Sequence, residues 1–117
     1  MENNRIDFKV DKNNLYREEN VTDLKTASIR ILTPVKLDGI LDETRTKIFI
    51  GHTQLMSQDG PLPLQARLNA STLEEAIDRF PSAMEMEMAQ MIEHLKKMHQ
   101  EMERAEQREK SNLILPR

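Results

Sequence analysis

One uninterrupted helical pattern fills the C-terminal part of the chain and limits the fold more than any other feature. From Pro81 to Lys110 the sequence contains no glycine and no further proline, and it is rich in Glu, Met, Gln, Lys and Ala, which are good helix formers. A helix over this range would extend about 45 Å, whereas a strand of about seven residues extends only about 23 Å. We therefore expect a helix that is too long to lie wholly on a sheet of its own chain.

Apolar residues recur along this helix at alternating intervals of four and three residues. They are Met84, Met88, Met91, Leu95, Met98, Met102 and Ala105. This is the a/d spacing of a heptad repeat, which predicts packing against another helix. For the N-terminal half of the stripe, covering a sheet of the same chain explains the spacing equally well. Beyond Leu95 the length of the helix favours association with a second copy or another protein.

Charges beside the stripe indicate the direction of such pairing. In a parallel pair Glu101 would face Glu106, and His94 would face His99, so no pair would be attractive and one would be repulsive. Each pair is worth only about 0.3 kcal/mol, but all of them point the same way. We predict a homo-oligomer in which the helices pack antiparallel.

Alternating apolar and polar residues in the first part of the chain predict an antiparallel sheet. The predicted strands cover residues 5–10, 27–35, 46–55 and 62–68. A weaker extended piece is predicted around 15–17, and residues 18–25 are predicted as a loop that can hold a short strand at 21–24. The strongest turn signal is Ser57–Pro61, because Gly60 accepts a positive φ and proline sets the exit of the chain. We expect this turn to join two neighbouring antiparallel strands.

The connection between sheet and helix carries a helix-start signal. Ser71 and Glu74 have the spacing of a capping box, and Pro81 is tolerated in the first turn of a helix. We therefore predict a short helix over 72–80 before the long one. The fold class is α+β: an antiparallel β-meander of about four strands, a short helix and a long C-terminal helix. In a single domain, 1–117, the sheet covers 5–68 and the helical region 72–110.

A short apolar tail, 111–117, follows the helical pattern. It contains Leu113, Ile114 and Leu115 next to Pro116, and full burial of such side chains is worth about 1.5–3 kcal/mol each. We predict that 112–115 docks as a strand or extended segment onto a sheet edge or groove, in the same subunit or in a partner. These three residues join Met84, Met88, Met91, Leu95, Met98 and Met102 as the predicted interface.

Composition excludes several functional classes. The chain has 17 Lys and Arg against 20 Asp and Glu, a net charge of −3, without the basic face that nucleic-acid binding requires. It has no cysteine, so disulfides, thiolate catalysis and sulfur-based zinc sites are absent. The sequence has no apolar run long enough to span a membrane, and we expect a soluble cytoplasmic protein with no nucleic-acid or membrane partner.

Candidate chemistry is sparse. His52 falls on the same strand face as Ile48 and Ile50, at the end of what we interpret as a core-facing row. A catalytic histidine needs an orienting carboxylate and a substrate or nucleophile nearby, and the neighbouring sequence identifies neither. Methionines and His94 on the long helix form a soft ligand set for Cu(I), but the helical spacing fits packing better. We predict no metal and no cofactor.

The sequence therefore favours a non-enzymatic homo-oligomer that acts as a binding, adaptor or chaperone-like module through its methionine-rich stripe. A meander followed by a long helix resembles the architecture of bacterial export chaperones, a likeness of fold without a shared motif. The alternative is a small enzyme whose active site forms between subunits near His52. A cleft that joins His52 to a carboxylate would favour the enzyme, and an apolar groove would favour the binding module.

Overall fold

The computed structural model describes residues 6–114, with side chains to residue 108. Four strands precede one helix in the chain: β1 (Tyr16–Thr22), β2 (Ser28–Pro34), β3 (Ile48–Ser57), β4 (Gly60–Leu68) and α1 (Leu73–Ile114). The strands form one sheet in the order β1-β2-β3-β4, with each neighbouring pair antiparallel. This confirms the predicted α+β fold of an antiparallel meander followed by a long helix.

The hairpin between β3 and β4 confirms the predicted turn. Ser57 is paired with Gly60, and the Ser57 hydroxyl donates a hydrogen bond of 2.7 Å to the Gly60 carbonyl while accepting one of 3.2 Å from the backbone N–H of Asp59. Gly60 has a φ of 111°, a conformation that side chains with a Cβ rarely adopt. The tight turn therefore depends on glycine at this position.

The core lies between one face of the sheet and the first turns of α1, which packs across β3 and β4. Its buried members are Ile29, Ile31, Phe49, Leu64, Leu68, Ala76, Phe80 and Met84. Gly51, in the same row of β3 as Phe49, lets the helix approach closely, because a Cβ built on it would lie 2.9 Å from a ring carbon of Phe80. The Phe80 side chain of α1 therefore packs directly against the backbone of β3 at Gly51.

The helix start is displaced by one residue from the predicted capping box. The Thr72 hydroxyl accepts a 3.2 Å hydrogen bond from the backbone N–H of Glu75, whose carboxylate accepts one of 2.7 Å from the N–H of Ser71. Thr72, not Ser71, is therefore the capping residue, and Glu75 takes the role that we predicted for Glu74. The Thr72 hydroxyl and the Glu75 carboxylate thus accept hydrogen bonds from backbone N–H groups that have no carbonyl partner at the start of the helix.

The predicted short helix over 72–80 does not form as a separate element. Pro81 lies inside α1, although a proline in a helix interior costs about 3 kcal/mol. Phe80 and Met84, on either side of it, are both buried against the same sheet. Packing on both sides of the proline therefore outweighs the lost hydrogen bond and keeps the helix continuous.

The predicted N-terminal strand over 5–10 is also wrong. Residues 6–10 belong to no strand, and Ile6, Phe8 and Val10 are 73 %, 83 % and 67 % exposed; residue 5 lies outside the described range. The first strand is instead β1, which joins the weaker extended piece predicted around 15–17 to residues 18–22 of the stretch predicted mainly as loop. It pairs with β2 along its whole length, and its polar side chains are tolerated because it is an edge strand with mostly exposed residues.

The C-terminal tail differs from its predicted form as well. Helix α1 continues to Ile114, so residues 112–114 are helical rather than extended. Leu113 and Ile114 occupy the last turn of the described helix, while Leu115 lies outside the described residues. The predicted strand or extended form of 112–115 is therefore wrong for residues 112–114, while docking of this segment onto a partner stays a prediction.

The connection from β2 to β3 is held by Arg45. Its guanidinium donates to the carbonyls of Leu15 (3.1 Å) and Val35 (2.9 Å) and to the Asp42 carboxylate (2.9 Å), and it lies 4.9 Å from the Tyr16 ring centroid. Hydrogen bonds from the Thr44 hydroxyl and from Arg45 lower the pKa of Asp42 to about 2. This cluster ties the connection to the start of β1.

Candidate functional site

The second half of α1 extends away from the sheet. With 42 residues the helix is about 63 Å long, whereas β3, with 10 residues, extends about 33 Å. The radius of gyration is 21.9 Å and the longest dimension 74 Å, while a compact chain of this size would have a radius of gyration of about 13 Å. We call residues 92–114 the distal helix; it extends about 34 Å.

The predicted interface residues of α1 fall into two groups, those up to Met91 that pack against the sheet and those after it that do not. Met84 is buried in the core, and Met88 and Met91 are partly buried against it. These three methionines therefore cover the sheet of their own chain, which is the alternative that the spacing left open. Leu95 and Met98 are 47 % and 46 % exposed, beyond the reach of the sheet.

An exposed apolar stripe follows on the distal helix. Its members are Ile92, Leu95, Met98 and Met102, which we call the distal stripe. It continues the same helix face that packs on the sheet, because the a/d spacing is unbroken from Met84 to Met102. Ile92 is not part of the a/d spacing and was not among the predicted interface residues. Its apolar side chain, directly after Met91 in the sequence, could have indicated that it belongs to the same surface.

The distal stripe borders a shallow groove on the helix surface. Ile92 and Leu95 line it together with Lys96, His99 and Glu103. The Nε2 atom of His99 lies 3.0 Å from Oε2 of Glu103, one turn further along the helix. An apolar strip bordered by charged side chains is the surface pattern of a helix that packs against another helix. It offers apolar contact area with charged side chains at its border.

His52 lies on the sheet face opposite the core, contrary to the predicted core-facing row. The row of β3 that faces α1 contains Phe49 and Gly51, both buried, so Ile48, Ile50 and His52 face the other way. The prediction was wrong because each face of β3 begins with a large apolar residue, Ile48 on one and Phe49 on the other. Nothing in the sequence shows which of the two faces the helix covers.

A shallow depression surrounds His52 on that outer face. It has a volume of about 360 Å³ and is lined also by Glu18, Glu19, Asn20 and Arg30. Glu18 lies 3.8 Å from the guanidinium of Arg30, and within residues 6–108 no carboxylate is hydrogen-bonded to His52. An imidazole without an orienting carboxylate lacks the arrangement that general acid–base catalysis requires. The depression thus brings His52 near acids without assembling a catalytic group.

No protein-family model, curated protein or solved structure matches the chain. Within the described part of the chain, α1 is the only helix, and it is not apolar enough to cross a membrane.

Proposed function

We propose that the protein is a non-enzymatic, self-associating binding module whose distal helix packs antiparallel against the distal helix of a second copy. The observation that carries this proposal is the distal stripe, an apolar face that continues past Met91 with no sheet to cover it. The same face is already used for packing in the first half of α1. A second helix with the same spacing is a matching surface for it.

The free energy available from burying the distal stripe is of the same order as the cost of association, so any association should be of modest strength. Full burial of a Leu or Met side chain is worth about 1.5–3 kcal/mol, and Leu95 and Met98 are about half exposed. Pairing therefore adds at most about 0.7–1.4 kcal/mol per stripe residue on each copy. The total for two copies is several kcal/mol, against a cost of association of about 4–15 kcal/mol. Association should accordingly depend on protein concentration.

Helix stability provides a second reason for pairing. Most helical stability in proteins comes from packing of an apolar face rather than from propensity. The distal helix has such a face but no packing partner among the described residues of its own chain. Contact with a second copy would stabilise this part of α1.

Antiparallel pairing also suggests how the module would be used. The two sheets would lie at opposite ends of the paired helices, each with its outer face directed away from its own helix. That face carries the half-buried residues Leu32, Ile48 and Ile50 beside the polar depression around His52. We propose that it receives a protein or peptide partner, so that the dimer presents two equivalent binding surfaces.

Charged substitutions on the distal stripe test the self-association. In the double variant Leu95→Glu/Met98→Glu, pairing would place carboxylates in an apolar interface, so the variant should sediment as a monomer at concentrations where the unmodified chain is a dimer. Met86→Glu is the matched control, because Met86 is 63 % exposed on the far side of the same helix and should leave the dimer intact. Sedimentation of the double variant as a dimer would contradict the proposal.

A further inference from the structure

We infer that the free edge of β1 receives an extended peptide with two adjacent basic residues, which pairs with β1 as a fifth strand of the sheet. This inference rests on the proposed role as a binding module, and it locates the partner at the edge beside the outer face. Two features lead to it: a row of backbone groups that no strand covers, and two adjacent carboxylates on the same strand.

The free edge of β1 offers a row of backbone hydrogen-bonding groups. β1 lies at one end of the sheet and has no second neighbouring strand among the described residues. The carbonyl of Leu15 accepts a 3.0 Å hydrogen bond from Val35, and the N–H of Asp23 donates one of 3.3 Å to Ala27. Because every second residue of an antiparallel strand bonds to the same neighbour, the odd-numbered residues of β1 face β2. The N–H and carbonyl groups of the even-numbered residues therefore point to the free edge: Tyr16, Glu18, Asn20 and Thr22.

The opposite edge of the sheet, along β4, is closed to such pairing over part of its length. Pro61 and Pro63 are paired with Met56 and Gln54 of β3. A proline has no N–H, so within a sheet its nitrogen faces the free edge. Two donors are therefore missing from the β4 edge, whereas β1 contains no proline. A further strand can add to β1 along its 7 residues, a length of about 23 Å.

The side chains of β1 indicate which peptide fits this edge. Glu18 and Glu19 are adjacent, so they point to opposite faces of the sheet, and both are exposed. Arg30 lies 3.8 Å from Glu18, but the two side chains are 37 % and 66 % exposed, and such a surface pair is weak. The Arg17 guanidinium donates a 3.0 Å hydrogen bond to the carbonyl of Gly39. An added strand therefore meets one carboxylate on each face, and two adjacent Lys or Arg residues complement them.

The same carboxylates distinguish between partner strands. Opposite charges directly across two paired strands stabilise the pairing, and like charges destabilise it. A strand with two acidic residues at these positions is accordingly rejected by the same groups that attract a basic one. Beside Val21 and Thr22, the peptide can carry the β-branched residues that strands favour.

Fluorescence anisotropy with a labelled heptapeptide tests the pairing. The probe is Thr-Val-Thr-Lys-Lys-Thr-Val, whose lysines lie opposite Glu19 and Glu18 when it runs antiparallel to β1, and it is titrated with the full-length protein. Glu18→Gln/Glu19→Gln should weaken binding about fivefold, because two cross-strand pairs of opposite charge are lost. A peptide with glutamate in place of both lysines should bind the unmodified chain more weakly still, because both pairs become repulsive.

Two matched proline variants separate strand pairing from attraction by charge alone. Asn20→Pro removes a donor from the β1 edge, and Gln65→Pro removes one from the β4 edge. Both nitrogens face away from the neighbouring strand, so both sheets should remain folded, which circular dichroism checks. Asn20→Pro should weaken peptide binding at least tenfold, whereas Gln65→Pro should leave it unchanged.

The outcomes distinguish this inference from the proposed function. The inference is wrong if the unmodified chain does not bind the probe, or if both proline variants bind it equally well. Binding that persists in Asn20→Pro but is lost in Ile50→Glu would show that the outer face is the site, and the binding module would stand without the edge. If Asn20→Pro does not fold, the Glu18→Gln/Glu19→Gln variant decides, and an unchanged affinity refutes the inference. Self-association is measured separately by sedimentation, so its failure is a different result.

Discussion

The close packing of α1 against β3 predicts that Gly51→Ala will destabilise the fold. This is the opposite of what strand propensity alone would predict, because glycine is a poor strand residue. Gly51 lies in the core row of β3, and a Cβ at this position would be 2.9 Å and 3.1 Å from two ring carbons of Phe80 and 3.3 Å from a methyl carbon of Leu68. The first of these separations is shorter than carbon atoms tolerate without movement. The Phe80 ring is buried and has little room to retreat.

Two opposing effects determine the size of the change. Forcing an extra methyl group into a packed core costs about 1–3 kcal/mol. Replacing glycine by alanine recovers about 0.4–1 kcal/mol, because it restricts the unfolded chain. The net loss of unfolding free energy should therefore be about 1–2 kcal/mol, which lowers the melting temperature by about 4–8 °C for a chain of this size.

Thermal melts followed by circular dichroism check this value, and a double-mutant cycle identifies its cause. Phe80→Leu removes the ring atoms that meet the new methyl group, so Gly51→Ala should cost less in that background than in the unmodified chain by about 1 kcal/mol. A Gly51→Ala variant that melts at or above the temperature of the unmodified chain would refute the close seating of the helix. Equal costs in both backgrounds would show that Phe80 is not the residue responsible.

Three further predictions concern the turn, the helix start and the connection before β3. Gly60→Ala should lower stability by about 1–2 kcal/mol in thermal melts despite open space around the position, because its φ of 111° is strained for alanine. Thr72→Ala should cost about 1 kcal/mol in the same assay, since the hydroxyl that caps the Glu75 N–H is lost. The pKa of Asp42 is lowered from 3.8 to about 2, so its stabilising effect is full above the ordinary value and is lost as the pH falls through about 2. Asp42→Asn should therefore remove part of the decline in melting temperature on acidification, and an unchanged acid decline would contradict this role.

Regular patterning made most of the fold predictable. In β2 and β4, the alternating apolar residues coincide with rows that are buried, and the heptad spacing of α1 matches one continuous face. Local signals failed where tertiary context decided the outcome. Ile6, Phe8 and Val10 alternate as a strand should, yet no sheet edge pairs with them in the described structure. The polar β1 forms instead, because backbone pairing with β2 is sufficient for an edge strand.

The site was predictable only in part, for a similar reason. The length of α1 alone indicated that the helix extends beyond the sheet, and the exposed fractions of Leu95 and Met98 agree with that reasoning. The point at which the sheet ends, just after Met91, depends on how Phe80 and Gly51 set the helix on β3. No sequence pattern encodes that contact distance. The face on which His52 lies was unpredictable for the same reason, since it follows from which row of β3 the helix covers.

The molar mass of the unmodified chain across a concentration series tests the central claim most directly. Light scattering after gel filtration should give a mass that rises from that of the 13.7 kDa chain toward twice that value as the concentration reaches the high micromolar range. A mass that stays at one chain throughout that range would contradict self-association through the distal helix.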